Sequence, residues 1–190
     1  LKRDYGLEEQ VETLFPIKRG DVEQGTKKNH QHPLVSGSFI DGEVQVDIGG
    51  FALNDFIRGK HVVMVSHLLT PHRKDPEHGQ IVSVNDNIMT VRGYLDVLER
   101  GEILQSTLLA PYLTYVRSHS IEKYRDRGFL QFDSLRRTLK DYRTDGLDTL
   151  VTIDPHSDKA AQIAGELGLD FHAINPFQSG RTIKPRKLGL

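Results

Sequence analysis

An α/β fold of three layers, a mainly parallel sheet with helices on both faces, follows from two features of this chain. Short β-branched and aliphatic runs recur at His61–Ser66, Thr107–Tyr112, Thr149–Ile153 and Phe171–Ile174, separated by polar and turn-forming residues. Between them lie longer segments whose apolar residues return at three- and four-residue steps, as on the buried stripe of a helix. Strand and helix in alternation imply parallel strands joined by right-handed crossovers, because a tight turn returns a chain only to an antiparallel neighbour.

The elements follow in order. From Leu1 to about Pro33, Lys18-Arg19-Gly20-Asp21 and Gly25-Thr26-Lys27-Lys28-Asn29 interrupt any period, so residues 1–37 are expected to form an irregular arm. The regular domain is expected over 38–177. Val44, Val46 and Ile48 alternate with Gln45 and Asp47 as in a half-buried strand, which Gly49-Gly50 ends. The run His61–Ser66 predicts a central strand buried on both faces. Asn85 and Asp86 are candidate caps for a helix bearing Ile88, Val91, Leu95 and Leu98, stopped by Gly101.

After the strand at Thr107–Tyr112 comes a polar segment from Arg117 to Gly128, then a helix with Phe132, Leu135, Leu139 and Tyr142 on one face, closed by Asp145-Gly146. Thr149–Ile153 predicts another buried strand. Ser157 is positioned to cap a helix bearing Ala160, Ala161, Ile163, Ala164 and Leu167, and Phe171–Ile174 returns to strand. Residues 178–190 are basic and rich in helix breakers, the composition of a linker or docking tail.

Composition narrows the chemistry. A chain of 190 residues with 37% hydrophobic content can bury one substantial core. It contains no cysteine, so disulfides and thiolate metal sites are excluded and any metal must be held by oxygen or imidazole. With 25 basic and 26 acidic residues it lacks the basic footprint of a nucleic-acid binder. No apolar run approaches the roughly 20 residues that span a bilayer, and no signal-peptide core follows Leu1-Lys2-Arg3-Asp4. These features lead us to expect a soluble cytoplasmic protein without nucleic-acid or membrane partners. The usual glycine-rich phosphate loops are absent from the sequence.

In open parallel sheets ligands collect beyond the carboxyl ends of the strands, where helix amino termini favour anions. Three segments are expected there: Asn85-Asp86-Asn87, Arg117, and Asp154-Pro155-His156. Arg117 has the guanidinium fork to reach a triphosphate or stack on adenine, or it is a solvated loop arginine. His156 is either a magnesium ligand on a rigid strand-to-helix turn or a histidine that ties the turn down. Phe39, Asp41 and Glu43 stand at alternate positions, and a strand-like path would gather an aromatic wall and two acceptors on one side. Asp41-Gly42 is also a hairpin signal, and the two roles are compatible. His67, His72 and His78 with Asp75 and Glu77 match no metal-ligand spacing and read as a solvated loop broken by Pro71 and Pro76.

Four strings occur in a telling order: Phe39-Ile40-Asp41-Gly42-Glu43-Val44-Gln45-Val46, Ser83-Val84-Asn85-Asp86-Asn87-Ile88-Met89, Leu109-Ala110-Pro111-Tyr112-Leu113-Thr114-Tyr115-Val116-Arg117, and Thr152-Ile153-Asp154-Pro155-His156-Ser157. Together they resemble the amino-terminal half of ribose-phosphate pyrophosphokinases, over about residues 38–177. The resemblance implies a type I phosphoribosyltransferase-like fold, magnesium as cofactor, and transfer of the β,γ-diphosphoryl group of ATP to the anomeric hydroxyl of ribose 5-phosphate. It implies that Phe39, Asp41 and Glu43 help form an adenine site shared with a neighbouring subunit of a homo-oligomer. By the same carry-over, Arg117 meets the nucleotide and His156 approaches magnesium.

The departures are specific. Ser118-His119-Ser120 replaces the family's Gln-Asp-Arg or Gln-Asp-Lys, Asp154-Pro155-His156 replaces Asp-Leu-His, and Leu68–Val82 looks inserted. The family's second domain, with its ribose-phosphate loop and catalytic basic loop, does not occur in these residues, so no catalytic residue is assigned. The expectation is therefore a domain or half-enzyme that meets ribose 5-phosphate only once a second domain is supplied. The alternative is a noncatalytic homologue that binds or regulates synthetase subunits.

Overall fold

The computed structural model describes residues 16–17, 34–48, 57–66, 68–69, 79, 81–117, 121–155 and 157–175. They form two sheets. The first runs β1 (Pro16–Ile17), β2 (Leu34–Ser38) and β3 (Val44–Ile48), with β1 parallel and β3 antiparallel to β2. Strand pairing thus already includes Pro16–Ile17 and Leu34–Ser38, within the stretch that composition marks as an arm.

The second sheet is wholly parallel. Its strands β4 (His61–Val65), β5 (Gln105–Ala110), β6 (Thr149–Ile153) and β7 (Asp170–Ile174) lie side by side in chain order. The helices between them are α1 (Val84–Arg100), the short α2 (Ile121–Arg125), α3 (Ser134–Thr144) and α4 (Lys159–Glu166). None of the described helices is long and apolar enough to cross a membrane.

The parallel α/β class agrees with the sequence, but the expected helix cover on both faces is found on one face among the described residues, and the core shows how it is held. Leu108, Ala110 and Leu150, at alternate strand positions, join Val91 and Leu95 of α1, Leu135, Leu139 and Tyr142 of α3, and Ile163 of α4 in one buried cluster. Because a strand turns alternate side chains to opposite faces, these three helices lie together on one face of the sheet. Each fully buried leucine contributes about 2 kcal/mol through the water it sheds.

On the other face, Val63 is 54% and Val65 69% exposed, with Ile153 and Ile174 also open to solvent. β4 is an edge strand of the four, not the central one the sequence implied. A β-branched run announces a strand but not how many neighbours it has, and chain-order pairing leaves the first strand outermost.

Three further corrections concern helix starts. Ser83, not Asn85, caps α1: its hydroxyl accepts the Asp86 N–H, and the Asp86 carboxylate accepts the Ser83 N–H at 2.6 Å, a reciprocal capping box. Asp158, not Ser157, stands before α4, without a side-chain cap bond. Phe132 lies outside α3, 70% exposed, because Asp133 takes the cap through the Arg136 N–H. At the other end, Asp145-Gly146 closes α3 as read, with Gly146 at φ 96°.

The helices are also tied by charge. Arg92 of α1 reaches Asp145 through Nε at 2.6 Å and through a second nitrogen at 3.4 Å, with Asp141 at 3.6 Å. Hydrogen bonding to Asp145 is the main cause that raises the Arg92 pKa above its ordinary value. Burial raises that of the adjacent Tyr142 phenol, which therefore stays neutral. Arg136 of α3 meets Glu166 of α4 at 2.5 Å.

The first sheet docks on α1 at Gly93. A Cβ built there would stand 2.9 Å from Val46 Cγ2 and 3.1 Å from Val46 Cβ, so only glycine admits β3 this close.

Candidate functional site

Parallel strands deliver their following loops to one edge, so the segments after β5 and β6 are neighbours by construction. After β5, Pro111 begins a compact stretch that ends at Arg117. After β6, Asp154 and Pro155 make the turn toward α4. Tyr112, Leu113, Val116 and Arg117 from the first segment and Asp154 and Pro155 from the second line one small cavity of about 100 Å³.

The backbone at this edge is unusual. Only three non-glycine residues among those described have positive φ, and two of them are Tyr115 (62°) and Asp154 (43°). An L-residue in that conformation costs about 1 kcal/mol or more and persists where its surroundings demand it. Asp154 is held by its N–H on the Ile174 carbonyl at 3.1 Å, and the Ser157 N–H reaches back to the Pro155 carbonyl. The Tyr115 hydroxyl donates to the Asn85 side-chain oxygen, tying the stretch to the start of α1. The result is a rim with a cation, Arg117, and a carboxylate, Asp154, on a common cavity.

The three segments expected at this edge divide by role. Asp86 is consumed by the capping box, and the Asn87 amide donates to the Leu68 carbonyl at 3.1 Å, holding the loop after β4. Asn85 serves the rim through Tyr115. Arg117 is exposed and lines the cavity. His156 lies outside the described residues, as do His67, His72, Asp75, Glu77 and His78.

Phe39, Asp41 and Glu43 do not follow a strand-like path. They belong to a hairpin loop in which the Gly42 N–H bonds the Phe39 carbonyl at 2.9 Å and the Phe39 N–H bonds the Glu43 carbonyl at 2.8 Å. Gly42 sits at φ 92°, and the Asp41 carboxylate accepts the Glu43 N–H at 3.1 Å, so turn chemistry overrides the alternation. The tip is open: Phe39 is 43% and Ile40 81% exposed. None of its residues lines the cavity.

The sequence reading placed Asp154 in an edge segment without giving its carboxylate a role, and it did not single out Tyr115. The available signal was weak: Asp is among the few residues that tolerate a left-handed backbone, and here it directly follows a strand. Among the described residues no three His, Cys, Asp or Glu side chains gather as a preformed metal cage. Magnesium does not need one, since it is commonly held by one or two carboxylates with phosphate oxygens and waters, and Asp154 is an oxygen donor of that kind.

No protein-family model matches the chain, and no curated protein matches it in sequence. Among solved structures, it is similar to the crystal structure of phosphoribosylpyrophosphate synthetase from Mycobacterium smegmatis, with 22% identity, a TM-score of 0.54 and 76% of this chain covered. The chain spans 40% of the length of that synthetase. The likeness is one of fold: the described residues have the parallel α/β architecture found within that synthetase.

Proposed function

We propose that this chain is a ribose-phosphate diphosphokinase-like domain that holds the phosphates of a magnesium nucleotide at the carboxyl edge of its parallel sheet. The observation that carries this reading is Arg117 and Asp154 on one cavity, beside two strained backbone positions, where adjacent parallel strands end. Arg117 supplies the fork that a phosphate accepts. Asp154, with His156 two positions on in the sequence, would hold magnesium, whose chemistry is to neutralise charge on the phosphate oxygens.

In the reaction this implies, the anomeric oxygen of ribose 5-phosphate bonds to the β-phosphorus of ATP. The bond from that phosphorus to the α,β-bridging oxygen breaks, AMP leaves, and the sugar hydroxyl gives up its proton. The chain's own part is positioning: it fixes the nucleotide, while ribose 5-phosphate binding requires a second domain. Phe39, Asp41 and Glu43, displayed on the hairpin tip, suit contact with the adenine of a neighbouring subunit in a homo-oligomer. Calorimetric titration with magnesium ATP tests the proposal. Arg117→Ala is expected to weaken binding at least tenfold, consistent with about 1.5–3 kcal/mol for a charge-assisted hydrogen bond. The absence of any binding at millimolar ligand defeats the nucleotide role.

The exposed strip of Val63, Val65, Ile153 and Ile174 favours a second reading, a noncatalytic module that joins synthetase subunits through this sheet face. Co-purification with a full-length synthetase, without ATP binding, selects it.

A further inference from the structure

Four large side chains stand in solvent on one short stretch: Tyr124 at 41% exposed, Phe129 at 64%, Leu130 at 96% and Phe132 at 70%. The stretch is a built turn. Beyond α2 the chain reaches Gly128 at φ 82°, with the Gly128 N–H on the Arg125 carbonyl at 2.8 Å and the Phe129 N–H on the Tyr124 carbonyl at 2.9 Å. This is the glycine-terminated helix end in which the residue after glycine usually packs back on the helix. Here Phe129 and Tyr124 both stay open, and the exposed basic residues Lys123, Arg125 and Arg127 interleave with them. Nothing in the core accounts for aromatics left in water at this density.

Their place in the fold does. The stretch begins at Ile121, shortly after Arg117, and ends at Asp133, the cap of α3. Because α3 connects the parallel strands β5 and β6, it starts on the side of the sheet where β5 ends, the side on which the cavity lies.

We infer that Phe129 and Phe132 stack on the base of the nucleotide whose phosphates occupy that cavity, with Arg125 and Arg127 as the accompanying cations. Aromatic faces interleaved with guanidinium groups fit a base and its phosphates, since every base offers a π-face to stack on. The inference rests on the nucleotide reading above and gives this chain a base contact of its own, separate from the hairpin tip.

The test titrates magnesium tripolyphosphate and magnesium ATP into the protein and into Phe129→Ala/Phe132→Ala, whose exposed positions leave the core untouched. The expected result is a loss of roughly tenfold in ATP affinity with tripolyphosphate binding unchanged. Phe129→Tyr/Phe132→Tyr, which keeps the ring faces, is expected to retain the original affinity. Equal ATP affinity in the protein and the alanine variant, with both ligands bound, overturns the stacking role and leaves the phosphate site standing. Binding of neither ligand overturns both.

Discussion

Gly93→Ala separates two opposing effects at the seam between α1 and the hairpin. Replacing a mid-helix glycine by alanine ordinarily stabilises by about 1 kcal/mol, because alanine loses less backbone freedom on folding. At this position the new methyl would lie 2.9 Å from Val46 Cγ2, closer than real Cβ contacts. Relieving such an overlap costs about 1–3 kcal/mol in packed protein. The expected net effect is a loss of about 1 kcal/mol. Val46→Ala removes both γ-methyls of a half-buried side chain and by itself costs about 1 kcal/mol. In that background the worst contact is gone, only the 3.1 Å approach to Cβ remains, and Gly93→Ala is expected to become neutral or stabilising. The chain has no tryptophan, so urea unfolding followed by helix circular dichroism is the assay. The same sign and size of effect in both backgrounds would refute the close-packing account.

Other perturbations probe the helix layer and the rim. Arg92→Ala leaves the partly buried Asp145 carboxylate without its cation, while Asp141 keeps Arg137 at 3.1 Å, and a loss of about 2 kcal/mol in the same assay is expected, discounted for partial solvent screening. A double-mutant cycle with Asp145→Asn should recover most of that as coupling. Hydrogen bonding to Arg136 lowers the Glu166 pKa below its ordinary 4.5, so its contribution is present above about pH 4.5 and lost as pH falls through the lower folded value. Glu166→Gln should flatten that part of the acid stability profile. Asp154→Gly relieves a left-handed backbone at φ 43° and is expected to stabilise by up to about 1 kcal/mol while weakening magnesium-dependent nucleotide binding, measured by unfolding and calorimetry.

Periodicity made most of the architecture legible. The strand at Thr149–Ile153 and the helix bearing Val91, Leu95 and Leu98 emerge as read, because a buried stripe leaves a repeating apolar signature. What periodicity does not encode is the number of neighbours a strand has, hence the misplacement of His61–Val65 at the centre. Caps were misread where several candidates stood together: Ser83, Asn85 and Asp86 are all competent, and only three-dimensional geometry gives Ser83 the cap and Asp86 the reciprocal bond. At the site, the shared rim of Arg117 and Asp154 was legible, since strand ends in a parallel sheet must converge. The left-handed turns at Tyr115 and Asp154 were not, because strain leaves no repeating mark in a sequence. At the hairpin tip two readings competed, a two-residue alternation at Phe39, Asp41 and Glu43 and the Asp41-Gly42 turn signal, and the turn prevails.

The chain-order succession of β4, β5, β6 and β7 contains no point at which the winding reverses. A doubly wound sheet opens a cleft where consecutive loops diverge to opposite sides, and a molecule with such a reversal is born with a binding crevice. Where winding continues in one direction, successive loops shoulder against one another and leave a shallow ledge. Among the described residues, then, topology itself accounts for a cavity too small to swallow a whole nucleotide. Enclosure must be supplied by whatever leans over the ledge, and affinity should depend steeply on that overhang.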